Sequence, residues 1–244
     1  MATGKHQGRS IVFIHGSGGN GALWAYQSRF FSKRYRVLAL DLPGHGLNKG
    51  ETLKSVGELA DFVLSEIERL GLRLPAVVGH SLGGAIALEL ALRAQEKLGA
   101  LVLVGSGARL RVLPSLLDSI LTDYSGALDA MAGYVFSKET PQSVVAKAMS
   151  ETRKVAAQVL YDDLAACDKF DVMQLLGEIR LPVLVVVGRD DFMTPVKYAE
   201  YLRANLPNAT LKIVDRAGHM VMIEQPDEFN SSLEAFLDVT LAGQ

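Results

Sequence analysis

Short apolar runs alternate with longer amphipathic segments along most of the chain, and this alternation limits the folds open to it. The runs are nearly continuous in apolar residues, which is typical of strands buried on both faces of a sheet. They are Ile11–Ile14, Arg36–Leu40, Ala76–Val78, Leu101–Val104, Val183–Val187 and Thr210–Val214. Between them, apolar residues recur at the helical period, as Leu59, Val63 and Ile67 do. The pattern predicts an α/β fold with a mostly parallel sheet of about six strands flanked by helices.

The alternation stops between Ser106 and about Gly177. This interval contains helical patterns but no convincing strand. Roughly seventy residues are too many for one crossover helix with its loops. We therefore expect a helical lid at residues 106–177, inserted into a core that residues 1–105 and 178–244 form.

The segment Gly79–Gly84 contains the pattern G-x-S-x-G, with Ser81 at its centre, between a predicted strand and a predicted helix. A serine in a tight strand-to-helix turn presents its hydroxyl away from the backbone. Glycines are needed there because side chains would collide with the adjoining strand and helix. The alternative is a glycine-rich helix start without chemistry, so the rest of the chain must supply partners for the serine.

Polar turns follow three other predicted strands. They are His15–Gly19, Gly188–Pro195 and Asp215–His219. Reactive groups gather at the carboxyl ends of the strands in open parallel sheets. The sequence thus brings Ser81, a carboxylate (Asp190 or Asp191) and His219 to one edge of the sheet, in that chain order.

These residue types suit nucleophilic catalysis. A serine hydroxyl is a weak nucleophile at neutral pH and needs a base. His219 can accept its proton and return it to a leaving group, while a carboxylate on the other ring nitrogen fixes the tautomer. The backbone N–H groups of Ser17 and Leu82 are candidates for an oxyanion hole, in which one donor is typically worth about 3–4 kcal/mol of barrier.

Taken together, the motifs resemble those of an α/β-hydrolase of the lid-bearing esterase type. The matching segments are His15–Gly19, Asp41–Gly46, Gly79–Gly84, Gly188–Pro195 and Gly218–Pro226. The resemblance implies that Ser81 is the nucleophile, His219 the base and Asp191 the acid. It favours Asp191 over Asp190 because the family places the acid three residues after the glycine that ends its strand. Some members carry the acid one strand earlier, but residues 105–107 here contain no carboxylate.

The chain departs from the family at its start. Family members usually have two further strands before the His-Gly turn, whereas only fourteen residues precede His15. We therefore expect a reduced sheet of about six strands, with Arg36–Leu40 at or near an edge. An edge strand there either seeds a dimer or is shielded.

The lid and five residues near the predicted turns are expected to form an apolar pocket that suits short to medium acyl groups. These residues are Trp24, Phe192, Met193, Met220 and Val221. For Trp24, the only tryptophan, plain core packing fits the sequence equally well. The basic residues of the lid either meet a substrate carboxylate or only face water; they are Arg109, Arg111, Arg153 and Lys154.

Composition narrows the partners. The 244 residues carry a net charge of −2 and show neither a basic stripe for nucleic acid nor a polybasic membrane patch. No apolar run has the length of a membrane span, and Met1–Arg9 lacks the apolar core of a signal peptide. Cys167 is the only cysteine, and no Cys/His cluster has metal-ligand spacing. We expect a cytoplasmic monomer or homodimer that takes a small-molecule ester and needs no metal and no cofactor.

Other histidines have structural interpretations. His15 is expected to brace the oxyanion turn, His80 to point away from Ser81, and His45 to support a turn near the site.

The leading hypothesis is hydrolysis of carboxylic esters through an acyl-enzyme. A second hypothesis is cleavage of a carbon–carbon bond in a ring-fission product, because the turn at His15 is similar to that of such hydrolases. Those enzymes usually carry Asn where this chain has His80, which counts against it. Cofactor-free haloperoxidase or perhydrolase activity is a further variant on the same triad. A non-catalytic ligand receptor would be favoured by a missing triad residue, and none is missing.

Overall fold

The computed structural model describes residues 9–241 and places six strands of this range in one sheet. The strands are β1 (Ser10–Ile14), β2 (Arg36–Leu40), β3 (Ala76–His80), β4 (Ala100–Val104), β5 (Val183–Gly188) and β6 (Ala209–Val214). Their order is β2-β1-β3-β4-β5-β6, and every neighbouring pair is parallel. The predicted six-stranded sheet is confirmed, with β2 at its edge. Residues 1–8 lie outside the described range. They form most of Met1–Arg9, the segment in which the sequence shows no apolar core of a signal peptide.

Helices join the strands in the described region. They are α1 (Ala25–Phe31), α2 (Val56–Arg69), α3 (Leu82–Ala94), α4 (Pro114–Thr122), α5 (Tyr124–Val135), α6 (Gln142–Thr152), α7 (Ala157–Lys169), α8 (Val196–Asn205), α9 (Val221–Glu224) and α10 (Pro226–Thr240). Short 3-10 helices span Gly21–Trp24, Gln95–Lys97 and Leu176–Glu178. Helices α4–α7 lie between β4 and β5, inside the interval 106–177. That this interval acts as a lid remains a prediction.

Apolar residues of the strands alternate between the two faces of the sheet, as the period of a strand requires. Ile11 and Phe13 pack in one core cluster with residues of α1 and α10. Val12 and Ile14 pack in the other, with residues of α2, α3 and α8. Both faces of the central strands are therefore covered, and the carboxyl ends of the strands are left to form a site. Among residues 9–241, no helix has the length and apolar character needed to cross a bilayer.

Candidate active site

Ser81 lies in a sharp turn between β3 and α3. It is the only residue between the end of β3 at His80 and the start of α3 at Leu82. Its backbone has φ 53° and ψ −115°, a conformation that costs roughly 1–3 kcal/mol in a residue with a side chain. The Ser81 N–H donates to the Val104 carbonyl over 2.9 Å, and the Ser106 hydroxyl donates to the Ser81 carbonyl over 2.8 Å. Hydrogen bonds at the end of β4 therefore hold the strained turn.

Two glycines of the motif allow this turn to form. A Cβ atom on Gly79 would lie 2.0 Å from the carbonyl oxygen of Gly83. A Cβ atom on Gly83 would lie 2.4 Å from the carbonyl oxygen of Ile14. Because the colliding atoms belong to the backbone, no rotation of a side chain relieves either clash. The need for glycine follows from the close approach of β1, β3 and α3.

His219 and Asp191 form a buried hydrogen-bonded pair after two neighbouring strands, β6 and β5. His219 Nδ1 lies 2.9 Å from Asp191 Oδ2, and the two side chains are 6% and 0% exposed. Burial raises the pKa of Asp191, but its interaction with the His219 ring and the hydrogen bonds from Thr194 outweigh burial and lower the pKa below its ordinary value. The Asp191 carboxylate therefore stays ionised and accepts the Nδ1 proton of His219. His219 Nε2 is left to accept a proton during a reaction.

Sequence reasoning gave no role to Thr194, yet this residue completes the pair. Its hydroxyl donates to Asp191 Oδ2 over 2.8 Å, and its N–H donates to Oδ1 over 2.8 Å. The N–H of Met193 also donates to Oδ1, over 2.9 Å. Asp190 instead accepts the hydroxyl proton of Ser137 over 2.6 Å. Thr194 lies in a matching motif, but only the fold shows that its hydroxyl turns toward the carboxylate.

Ser81 and His219 line the same cavity. Among the hydrogen bonds of residues 9–241, none joins the Ser81 hydroxyl to the His219 ring. Catalytic hydrogen bonds are often long without a substrate and shorten in the reacting complex. The structure thus brings serine, histidine and aspartate to one edge of the sheet.

His80 lies beneath this cluster. Its Nε2 lies 3.0 Å from the carbonyl oxygen of His219, and because a carbonyl only accepts, Nε2 carries the proton. Burial and the nearby His219 ring hold the pKa of His80 well below its ordinary value. The neutral His80 ring therefore supports the backbone of the His219 turn.

The turn after β1 exposes the first candidate oxyanion donor. Within the described range, neither the N–H of Ser17 nor that of Leu82 donates a hydrogen bond. His15 holds this turn, since its Nδ1–H donates to the Gly16 carbonyl over 2.8 Å and its Nε2 accepts the Leu42 N–H over 3.1 Å. Both bonds need the neutral ring, and burial together with the charge of His45 lowers the pKa of His15 to about 4.

Asp163 on α7 is a second residue that sequence reasoning missed. Its Oδ2 accepts the Gly18 N–H over 2.9 Å and faces His45 Nε2 at 2.9 Å. His45 Nδ1 faces the Pro43 carbonyl at 3.1 Å, so both of its ring nitrogens donate. Burial opposes this charge, but the Asp163 carboxylate raises the pKa of His45 above its ordinary value. The inserted helices thus hold the oxyanion turn through a buried ion pair.

The cavity above Ser81 has a volume of about 760 Å³ and a mainly apolar wall. Met193 and Met220 line it, as the sequence predicts. Further apolar residues come from the inserted helices and from α9; they include Met131, Val135, Val144, Met149, Leu164 and Ile223. Cys167 also faces the cavity, 3.8 Å from Ser17 Oγ, and its burial raises the pKa of its thiol to about 12.

Three residues predicted for this wall do not line it. Trp24 is fully buried in the core beneath the sheet, where it stacks on Phe13 with ring centroids 4.8 Å apart. Val221 is also fully buried, in the same core cluster. Phe192 turns outward and is 64% exposed. Proximity in sequence to a reactive turn was a poor guide here, because neighbouring residues point in different directions.

Comparison with known proteins places the chain among hydrolases. A curated relative, a pimeloyl-[acyl-carrier protein] methyl ester esterase of Aliivibrio fischeri (strain MJ11), is 29% identical over 95% of this chain and 95% of its own. A putative carbamate hydrolase RutD of Rhizobium rhizogenes is 32% identical over 94% of this chain and 92% of its own.

Solved structures of an esterase and of a lactone degrading enzyme are also similar to this chain. A structure described as that of a thermophilic esterase is 36% identical, with a TM-score of 0.85 over 95% of this chain and 90% of its own. Est816, described as an N-acyl homoserine lactone degrading enzyme, is 28% identical, with a TM-score of 0.85 over 93% of this chain and 92% of its own. The profile of the alpha/beta hydrolase family matches residues 11–232. With the sheet, the turn at Ser81 and the Asp191–His219 pair, this match shows that the chain belongs to the alpha/beta hydrolase family.

Proposed function

We propose that this protein is a serine hydrolase that cleaves carboxylic esters of short to medium acyl chain through an acyl-enzyme. One observation carries the proposal: Ser81, in a strained strand-to-helix turn, shares a cavity with His219, whose Nδ1 is held by Asp191 at 2.9 Å. The esterases among the relatives and solved structures support the same reaction class.

In the first half-reaction, the Ser81 hydroxyl attacks the ester carbonyl while His219 Nε2 takes its proton. Asp191 stabilises the imidazolium that forms. The carbonyl oxygen becomes negative and accepts hydrogen bonds from the N–H groups of Ser17 and Leu82. The tetrahedral intermediate then collapses, and the leaving alcohol takes the proton from His219.

In the second half-reaction, water loses a proton to His219 and attacks the acyl-enzyme. The same groups then return Ser81 to its starting state and release the acid. The apolar wall and volume of about 760 Å³ support a short to medium acyl chain as the part of the substrate enclosed by the cavity.

The direct test replaces the nucleophile. We expect Ser81→Ala to remove hydrolysis of p-nitrophenyl butyrate without unfolding the protein, as followed by circular dichroism. Ser65→Ala is a matched control, because the exposed Ser65 hydroxyl donates only to the Phe62 carbonyl within its own helix, α2. Full activity in Ser81→Ala would refute the mechanism.

Two further measurements separate the competing activities. Labelling of Ser81 by a fluorophosphonate would count against a non-catalytic receptor. A panel of three assays compares the remaining activities. Turnover of a simple ester measures ester hydrolysis, turnover of a vinylogous diketone acid measures carbon–carbon cleavage, and peracid formation from hydrogen peroxide measures perhydrolysis. The cytoplasmic location and the monomeric or homodimeric state remain predictions, which cell fractionation and gel filtration test.

A further inference from the structure

The wall of the cavity carries positive charge, although the chain as a whole has a net charge of −2. The lining includes the cations Arg29, Arg111 and Lys147 but only one carboxylate, Glu151. That carboxylate is already engaged, since its Oε1 lies 2.6 Å from Lys154 Nζ. An excess of cations in a concave apolar site raises the local concentration of anionic ligands.

The cations of this wall are not equally available. Arg111 donates to the Asp168 carbonyl over 2.7 Å, which fixes its guanidinium to the end of α7. Arg29 and Lys147 form none of the ion pairs found among residues 9–241. Their charges are therefore not used by the fold.

The other basic residues considered from sequence are occupied elsewhere. Arg109 lies 3.8 Å from Asp171, and Arg153 pairs with Asp129. Neither of these two arginines lines the cavity, and neither does Lys154. The cations left to meet a substrate are therefore Arg29 and Lys147, neither of which the sequence analysis named.

Arg29 and Lys147 approach the cavity from two sides. Arg29 comes from α1 in the core, and Lys147 comes from α6 in the inserted helices. Both side chains are exposed although they line the cavity, which places them at its rim, whereas Met149 in the same wall is buried. The cavity therefore has buried apolar side chains in its interior and two exposed cations where it meets solvent.

We propose that Arg29 and Lys147 form an anion-binding subsite, so that the preferred substrates are esters whose acyl chain ends in a carboxylate. This inference rests on the proposed esterase function. The expected size is modest because exposed ion pairs contribute about 0.2–1 kcal/mol each. That range corresponds to a roughly 1.4- to 5-fold effect on kcat/KM for each cation.

The test compares p-nitrophenyl octanoate with the mono-p-nitrophenyl ester of suberic acid, which has the same acyl length but ends in a carboxylate. We expect Arg29→Gln and Lys147→Gln each to lower the ratio of anionic to neutral kcat/KM by about 1.4- to 5-fold. Added salt should lower the wild-type ratio, because it screens exposed charges. Arg153→Gln is the matched control and should leave the ratio unchanged.

Ratios that do not change in either variant would overturn the proposal, as would an equal fall in Arg153→Gln. Isothermal titration of the inactive Ser81→Ala protein with monoethyl suberate gives a readout that does not need turnover. Weaker binding after adding Lys147→Gln supports the subsite, and equal binding opposes it. The subsite and the esterase function can therefore fail separately.

A second inference comes from an independent cluster around Glu224 on α9. Glu224 Oε1 accepts the N–H groups of Gly218 and Met220, each over 3.0 Å. Glu224 Oε2 accepts the Ser137 N–H over 2.9 Å and the Thr140 hydroxyl proton over 2.5 Å. One carboxylate thus joins the residues on both sides of His219 to the segment between α5 and α6.

The backbone of His219 itself is bonded to the last residue of α5, directly before that segment. Its N–H donates to the Val135 carbonyl over 2.8 Å. A Cβ on Gly218 would lie 2.6 Å from the Ser137 nitrogen, so the two segments are in close contact. We infer that Glu224 is a positioning residue that fixes the His219 turn against the inserted helices.

All four partners of the Glu224 carboxylate donate hydrogen bonds to it. In Glu224→Gln, the amide NH2 group would face such donors and could not accept from them. We expect kcat for p-nitrophenyl butyrate to fall by about 10- to 100-fold with little change in KM, because small misplacements of a base are costly. The rate of fluorophosphonate labelling should fall by the same factor. Glu139→Gln, at an exposed position in the same segment, is the control. A folded Glu224→Gln protein with wild-type kcat would overturn the inference, as would a loss matched by its unfolded fraction in circular dichroism.

Discussion

Substitution of Trp24, the sole tryptophan, tests where the core ends and the cavity begins. Trp24 is fully buried, stacks on Phe13 with centroids 4.8 Å apart and an interplanar angle of 27°, and lies 6.1 Å from the Phe229 ring. Truncation of a buried tryptophan typically costs about 3–5 kcal/mol. We expect Trp24→Ala to lower the free energy of unfolding by this amount.

Trp24→Phe separates ring packing from the indole N–H. The Nε1 atom is buried without an acceptor among residues 9–241, and such a donor costs about 1–3 kcal/mol. Phenylalanine removes this donor and keeps a ring against Phe13, but it fills less space. Because the two changes oppose each other, the free energy of unfolding should stay within about 1 kcal/mol of wild type. Urea unfolding followed by far-UV circular dichroism measures it, since the tryptophan fluorescence disappears with the residue.

The same variant tests the boundary of the cavity. A series of p-nitrophenyl esters from acetate to octanoate gives the acyl-length preference per folded molecule. We expect Trp24→Phe to keep the wild-type preference and Met220→Ala, on the cavity wall, to shift it. The reasoning is refuted if Trp24→Phe loses as much stability as Trp24→Ala, or shifts the preference as Met220→Ala does.

Three further predictions concern the site and its support. The pKa of His15 falls from 6.5 to about 4 on folding, so the unfolded chain takes up a proton first and stability drops as the pH falls from 6.5 to 4. His15→Gln should reduce this drop by up to about 3 kcal/mol, measured by urea unfolding at several pH values. Asp191→Asn should lower kcat by about 10⁴-fold while the protein stays folded, since the His219 tautomer is no longer fixed; an unchanged kcat refutes Asp191 as the acid. Gly79→Ala should give little folded protein on gel filtration, because its Cβ would lie 2.0 Å from a backbone oxygen; a fully active variant contradicts this.

The sequence predicts the parts of this molecule that follow from local rules. Continuous apolar runs mark strands that are buried on both faces, so the six-stranded sheet could be predicted from the sequence. The glycines around Ser81 could be predicted in the same way, because only a missing side chain permits that turn. The edge position of β2 follows instead from the family resemblance, because two strands usual in the family are missing before His15.

The rest depends on directions and distances that separate parts of the chain set together. Asp163 is hydrogen-bonded to His45 and Gly18, which lie more than a hundred residues away in sequence. No local sequence pattern predicts such a contact. Trp24 and Phe192 lie beside reactive turns in sequence, yet one points into the core and the other into solvent. Wall residues of a cavity formed by inserted helices are therefore the least predictable part of the site.

The way the inserted helices are fastened has a consequence for how this protein could acquire new substrates. The segment between α5 and α6 is bonded to Glu224, and α7 is bonded through Asp163 to the turn after β1. Helix α6 supplies several residues of the cavity wall, but no side chain of it hydrogen-bonds to the sheet or its flanking helices within residues 9–241. Mutations in α6 can therefore accumulate at little risk to the proton-transfer geometry. This helix is the place to randomise in directed evolution, and the place where natural divergence of specificity meets the least resistance.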